Sequence, residues 1–243
     1  MTQHEYIFIA VSIILGLAIT RLLRTAAALV RARDRVTFHW SSALWAFSVM
    51  LYILQLWWIG WGLRVIEDWT FLDFIILVFG SSCLYGAAEM ALTSPEGATL
   101  DMLQESQNLG RLSALSMLLY FFVGPYVNII MYNNDAVIPS LVVPSLGIGL
   151  MALVISAPKR FPLWSALFLI YSISILVLTV QSALTGSPRS PWKESISALL
   201  IIFVTRSFLF RVILRRYRTG GKHQRCVHRR GRKQQPNTEQ DPN

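Results

Sequence analysis

The sequence predicts an all-α polytopic membrane bundle of about seven transmembrane helices, followed by a disordered basic tail. Three observations carry this reading. Hydrophobic types make up 54% of the 243 residues and charged types 14%, with a mean hydropathy of +0.49. A soluble domain usually carries about 25% charged residues, because its surface faces water. The charge is also missing in long blocks: between residues 112 and 157 the one charged side chain is Asp135. Finally, the formal net charge of +9 is local, since ten of the 22 Lys and Arg residues fall between Arg211 and Lys233.

About 20 apolar residues are needed to cross ~30 Å of hydrocarbon as a helix. Seven segments qualify: 6–28, 38–63, 70–92, 112–132, 138–157, 163–184 and 196–214. Helices are predicted because backbone polar groups in lipid must be satisfied within the segment, and the alternation of a membrane barrel is absent. The first segment reads as a retained anchor. Residues 1–5 hold no Lys or Arg, and the positive charges come after it, at Arg24, Arg31, Arg33 and Arg35.

Lys and Arg in short loops set the orientation. The first connection is strongly basic, the third holds Arg111 among more numerous acids, the fifth holds Lys159 and Arg160, and the tail holds the large cluster. This places the N-terminus outside and the C-terminus in the cytosol. Trp57, Trp58, Trp61 and Trp69 then flank the outer ends of the second and third segments, and Trp40 and Trp164 lie at inner ends, where amphipathic rings suit the headgroup level. The longest connection, 93–111, is read as a polar loop with a helical turn or two, or as a short surface helix using Leu100, Leu103 and Leu109. A bundle over 1–216 and a tail over 217–243 follow; Gly220, Gly221, Pro236 and Pro242 and the scarcity of apolar residues predict disorder in the tail.

Charges inside the spans are the first candidates for chemistry, because each is costly to bury. Arg21, Glu89 and Arg206 fall in the first, third and seventh segments, at depths of roughly 5–12 Å from the cytosolic ends at ~1.5 Å per residue. Arg side chains reach toward water, so the three are predicted to meet in the inner leaflet, with Glu89 pairing to Arg206 and Arg21 sharing it. This is an ion or substrate site, or a structural pair that fixes packing. Asp73 is expected among headgroups. A helix break at Gly124 and Pro125, with Asn128 one turn later, marks a second candidate, since freed carbonyls line cavities in some transporters. Ser82 and Gly86 form a small-xxx-small pair suited to close helix contact.

Several classes are disfavoured. Of the four histidines, His4, His39, His223 and His228, none lies inside a span, which speaks against intramembrane haem ligation and a buried Ser–His pair. No span contains the Lys that a retinal protein needs. His223, Cys226 and His228 are too few, and too poorly framed, for a structural zinc site. No cofactor or metal is predicted, and no catalytic residue is assigned. The tail has Tyr217 as its one aromatic, which disfavours nucleic acid as a partner. It reads as a topology signal, with attraction to anionic lipid as the functional alternative.

Glu5-Tyr6-Ile7, the run from Ser12 to Thr20, Gln55 with Trp57 and Trp58, and Asp101 resemble a group of small, uncharacterised bacterial multi-pass membrane proteins. The resemblance covers about the first half of the chain. It implies a bacterial inner membrane and brings no activity with it. The expected role is therefore non-enzymatic, whether structural, sensory or interaction-based, with a small transporter or channel as the alternative.

Overall fold

Helix α1 (Gln3–Arg31) begins at a capping box: Thr2 Oγ1 accepts from the Glu5 N–H at 3.2 Å, while the Thr2 N–H donates to Glu5 Oε2 at 2.9 Å. The computed structural model to which it belongs describes residues 2–95, 100–132 and 137–185, all within the compact unit Met1–Ser187. Along α1 the buried residues are Ile7, Val11, Leu15, Ala18, Leu22, Thr25 and Leu29. Their spacing of three or four makes one stripe of a helix. The other face is equally apolar but open, with Tyr6 68% and Ile13 60% exposed. A face of that kind needs a hydrocarbon solvent.

Helix α2 (Trp40–Gly62) follows a two-residue strand β1 (Val36–Thr37), and α3 (Phe71–Ala91) starts at a second capping box formed by Thr70 and Asp73. Strand β2 (Leu100–Asp101) pairs parallel with β1, setting Val36 opposite Leu100 and Thr37 opposite Asp101. Helix α4 (Met102–Phe121) is followed by a short α5 (Val123–Tyr126), a π-helical turn (Val127–Met131), α6 (Val137–Ser156) and α7 (Phe161–Thr185).

Among the described residues, five helices are long and apolar enough to cross a membrane: Gln3–Arg31, Trp40–Val65, Phe71–Ala91, Met102–Met131 and Pro158–Thr179. The fifth predicted segment is a helix too, but its apolar stretch, Ser140–Ser156, is shorter, and it carries Pro144 internally. The seventh predicted segment, with Arg206, and the basic tail lie outside the described residues.

The fourth segment starts ten residues before its predicted boundary of 112. Asp101 Oδ1 accepts from the Leu103 N–H at 2.9 Å and caps the helix there. Met102, Ser106, Gly110 and Ser113 are buried along one stripe, while Gln104, Asn108 and Arg111 are exposed and Glu105 and Gln107 half-buried. Residues 102–111 of the predicted 93–111 connection are thus the start of α4 and neither a loop nor a separate surface helix, while 96–99 lie outside the described residues.

Helix α3 packs on α1, α2 and α4; α7 lies on α2, and α6 on α4. An aromatic core joins three of these. The Tyr52 ring stacks on Phe168 at 5.5 Å and meets Phe121 edge-on at 5.3 Å, while Trp45 contacts Phe168 at 4.9 Å. Such pairs add to area burial. Two glycines set helix spacing. A Cβ on Gly110 would lie 2.6 Å from the Phe161 ring, and one on Gly147 2.8 Å from Phe121. The Ser82–Gly86 expectation holds only at Gly86, which faces Ser116; Ser82 is exposed, and buried Gly80, Ala87 and Ala88 carry the contact instead.

Candidate functional site

Two intramembrane charges meet. Arg21 Nη2 on α1 lies 2.7 Å from Glu89 Oε1 on α3. The pair is neither sealed nor open, with side chains 31% and 39% exposed. Arg21 Nε is buried and donates to nothing among the described residues. Helices α1 and α3 are direct neighbours, so the contact needs no long reach from either side chain. Of the predicted trio, the structure brings together Arg21 and Glu89, while Arg206 lies outside the described residues.

A seam of small polar side chains joins α2, α3 and α4. Trp45 Nε1 on α2 donates to Ser113 Oγ on α4 at 2.9 Å. Ser113 donates in turn to the Ala87 carbonyl on α3 at 2.8 Å, two residues before Glu89. Ser42 and Ser106 share a hydrogen bond of 2.6 Å between α2 and α4. Ser42 and Ser113 are fully buried. Every bond in this seam joins two different helices, and Ser113 both accepts and donates. Small polar groups of this kind hold transmembrane helices together. Sequence reasoning missed the seam because a buried Ser carries no signal of its partner; only the spacing of Ser106, Gly110 and Ser113 hinted at a contact face.

Asp73 does not face headgroups. It is 7% exposed and fully engaged. Its Oδ2 accepts from the Thr70 N–H at 2.9 Å and from Thr70 Oγ1 at 2.7 Å, while Oδ1 accepts from the Tyr126 hydroxyl at 2.8 Å. The sequence held the signal for half of this: Thr70-x-x-Asp73 before an apolar run is a capping box. Tyr126 could not be foreseen. It follows Gly124 and Pro125, where the fourth span shifts from α4 through α5 into the π turn. The break therefore coincides with a bond that ties the fourth span to the start of the third.

Gly124, Pro125 and Asn128 line neither of two cavities found among the described residues. Gly124 sits close to Pro144, whose Cγ would lie 3.5 Å from an added Cβ, and Asn128 is half-buried. One of the two cavities is a small apolar gap beneath His4, Phe8, Leu56 and Trp69; His4 closes it by a 2.9 Å hydrogen bond to the Gly60 carbonyl. The other is an open apolar groove of about 420 Å³ between α1 and α2.

The tryptophans sort by depth. Trp45 is fully buried, whereas Trp57, Trp58 and Trp61 are exposed near the end of α2 and Trp40 at its start. Trp61 also stacks under Arg64, whose guanidinium carbon is 4.9 Å from the ring centroid. Trp69 and Trp164 donate to nearby carbonyls, those of Ile66 and Ala157.

No protein-family model matches the chain, and no curated protein or solved structure does.

Proposed function

We propose that the chain is a multi-pass protein of the bacterial inner membrane, crossing it seven times with its N-terminus outside, and that its role is non-enzymatic: a membrane scaffold that works through contacts with lipid or other proteins. One observation carries this. The polar side chains of the interior seam are committed to each other across helices, in the order Trp45, Ser113 and the Ala87 carbonyl. Groups that bond neighbouring helices hold a bundle closed, and the Trp45 and Ser113 donors are used in doing so, while Ser12 Oγ, Arg21 Nε and Tyr52 Oη are buried without a partner among the described residues. The Lys and Arg bias of the loops supports the orientation, and the resemblance of the first half supports the compartment.

A small transporter or channel is the second reading, favoured by the Arg21–Glu89 pair. Both side chains keep roughly a third of their surface open, and a carboxylate held by one guanidinium retains lone pairs for a cation. Flux separates the two. Proteoliposomes loaded with pH- and cation-sensitive dyes should leak no faster than protein-free vesicles. A protein-dependent flux that disappears in Glu89→Gln would replace the scaffold reading with transport.

A further inference from the structure

The groove between α1 and α2 has a composition that matches one class of ligand. Its walls are apolar, with Leu22 and Leu29 from α1, Val36 and Phe38 from the connection, and Ala46 and Met50 from α2. Small side chains at Ala26, Ala43 and Ala46 keep it open where the two helices face each other. Its one charged lining residue is Arg33. The Arg33 side chain is 82% exposed and has only a 3.8 Å contact with the equally exposed Asp34, a surface pair too weak to occupy it. Arg31 and Arg35 are exposed at the same end of α1, against the single acid Asp34.

Length agrees with charge. Along α1 the lining starts at Leu22 and reaches Arg33 just past the helix end at Arg31, which gives nine helical rises, or ~14 Å at ~1.5 Å each. That is about half of the ~30 Å hydrocarbon thickness, one leaflet. An apolar groove about one leaflet long, with Arg33 in its lining and Arg31 and Arg35 close to it in the sequence, fits an acyl chain below a phosphate.

We infer that the groove between α1 and α2 binds an anionic phospholipid, with one acyl chain along Ala46 and Met50 and its phosphate at Arg33 and Arg35. The inference rests on membrane insertion as proposed above. Guanidinium groups pair with phosphate oxygens through parallel N–H donors, whereas a zwitterionic lipid brings a compensating cation to the same place.

The test uses the full chain reconstituted in vesicles containing a trace of phosphatidylglycerol with a diazirine on one acyl chain. After illumination, adducts are mapped by peptide mass spectrometry. Adducts should concentrate on residues 22–30 and 43–50, and unlabelled phosphatidylglycerol should compete for them while phosphatidylcholine does not. The double change Arg33→Gln and Arg35→Gln should lower adduct yield there roughly 30-fold, taking about 1 kcal/mol per basic residue near an anionic surface, while adducts elsewhere stay unchanged. Ala46→Phe, which fills the floor, should lower it without removing a charge. Adducts spread evenly along every lipid-facing helix, or equal competition by both lipids, would overturn the site. A chain that fails to float with the vesicles would instead defeat the membrane reading on which the site rests. Loss of adducts in Ala46→Phe accompanied by a change in oligomeric mass would assign the groove to a second copy of the chain and overturn the lipid.

Discussion

Arg21 Nη2 and Glu89 Oε1 approach to 2.7 Å across the α1–α3 contact, so these two charges neutralise each other near the end of α3. A charged side chain at the centre of a membrane helix costs roughly 2.5–3.5 kcal/mol on insertion scales, and partial exposure lowers that figure here. Glu89→Ala and Arg21→Leu should each reduce the yield of folded protein in detergent, because each strands the other charge. The two changes together should recover much of the loss, since a matched deletion removes the stranded group. A double mutant no better than the sum of the single effects would mean that the residues are uncoupled.

Asp73 makes a sharper case, because its partners are so close. Replacing it with Ala removes the N3 arm of the capping box while leaving the Thr70 cap in place, and it leaves the Tyr126 hydroxyl without its acceptor. Tyr126→Phe deletes only the second bond and should cost about 0.5–1.5 kcal/mol, or somewhat more because its acceptor is charged. Thermal unfolding in detergent should therefore rank Asp73→Ala below Tyr126→Phe, with both below the unmodified chain. Equal stability of all three would separate the cap from the break in the fourth span.

The two glycines Gly110 and Gly16 should respond with opposite signs. A Cβ at Gly110 would meet the Phe161 ring at 2.6 Å, whereas nothing lies within 4 Å of one at Gly16. Phe161 is fully buried and cannot swing aside. Gly110→Ala should destabilise by about 1–3 kcal/mol, as overpacking does. Gly16→Ala should stabilise by roughly 0.5–1 kcal/mol through lower backbone entropy in the unfolded chain. Melting curves of the two variants test this directly. A stabilised Gly110→Ala would show that α4 and α7 do not meet closely there.

Much of the fold was legible because hydrocarbon imposes one simple rule. The first three predicted segments and the sixth coincide with helices to within a few residues, since each is an apolar run ended by polar residues. The start of α4 was not legible, because Gln104, Glu105, Gln107 and Asn108 make the stretch look like a loop. Its helical character is held in the buried stripe and in the Asp101 cap. Depth alone placed Glu89 near Arg21. Depth could not show that Asp73 is buried, because that requires knowing where Tyr126 goes after Pro125. The serine seam was illegible for a plainer reason: a hydroxyl inside a helix satisfies itself equally well on its own backbone, as Ser48 does on the Leu44 carbonyl.

The basic tail lies outside the described residues, and its chemistry is tested on its own sequence. A peptide covering residues 211–233 should bind anionic vesicles, with about 1 kcal/mol from each basic residue near the surface. Binding should weaken as salt shortens the screening length from about 10 Å at 0.1 M toward 3 Å at 1 M. Equal binding to neutral vesicles would remove the electrostatic account.

Crossing the membrane seven times with the N-terminus outside is the central claim, and reporter fusions test it most directly. Fusions of a reporter active only outside the cytosol, placed after Arg35, after Lys159 and at the C-terminus, should be silent. Fusions at Asp135 and Trp192 should be active. The account predicts this alternation in full. An active external reporter at the C-terminus would contradict it.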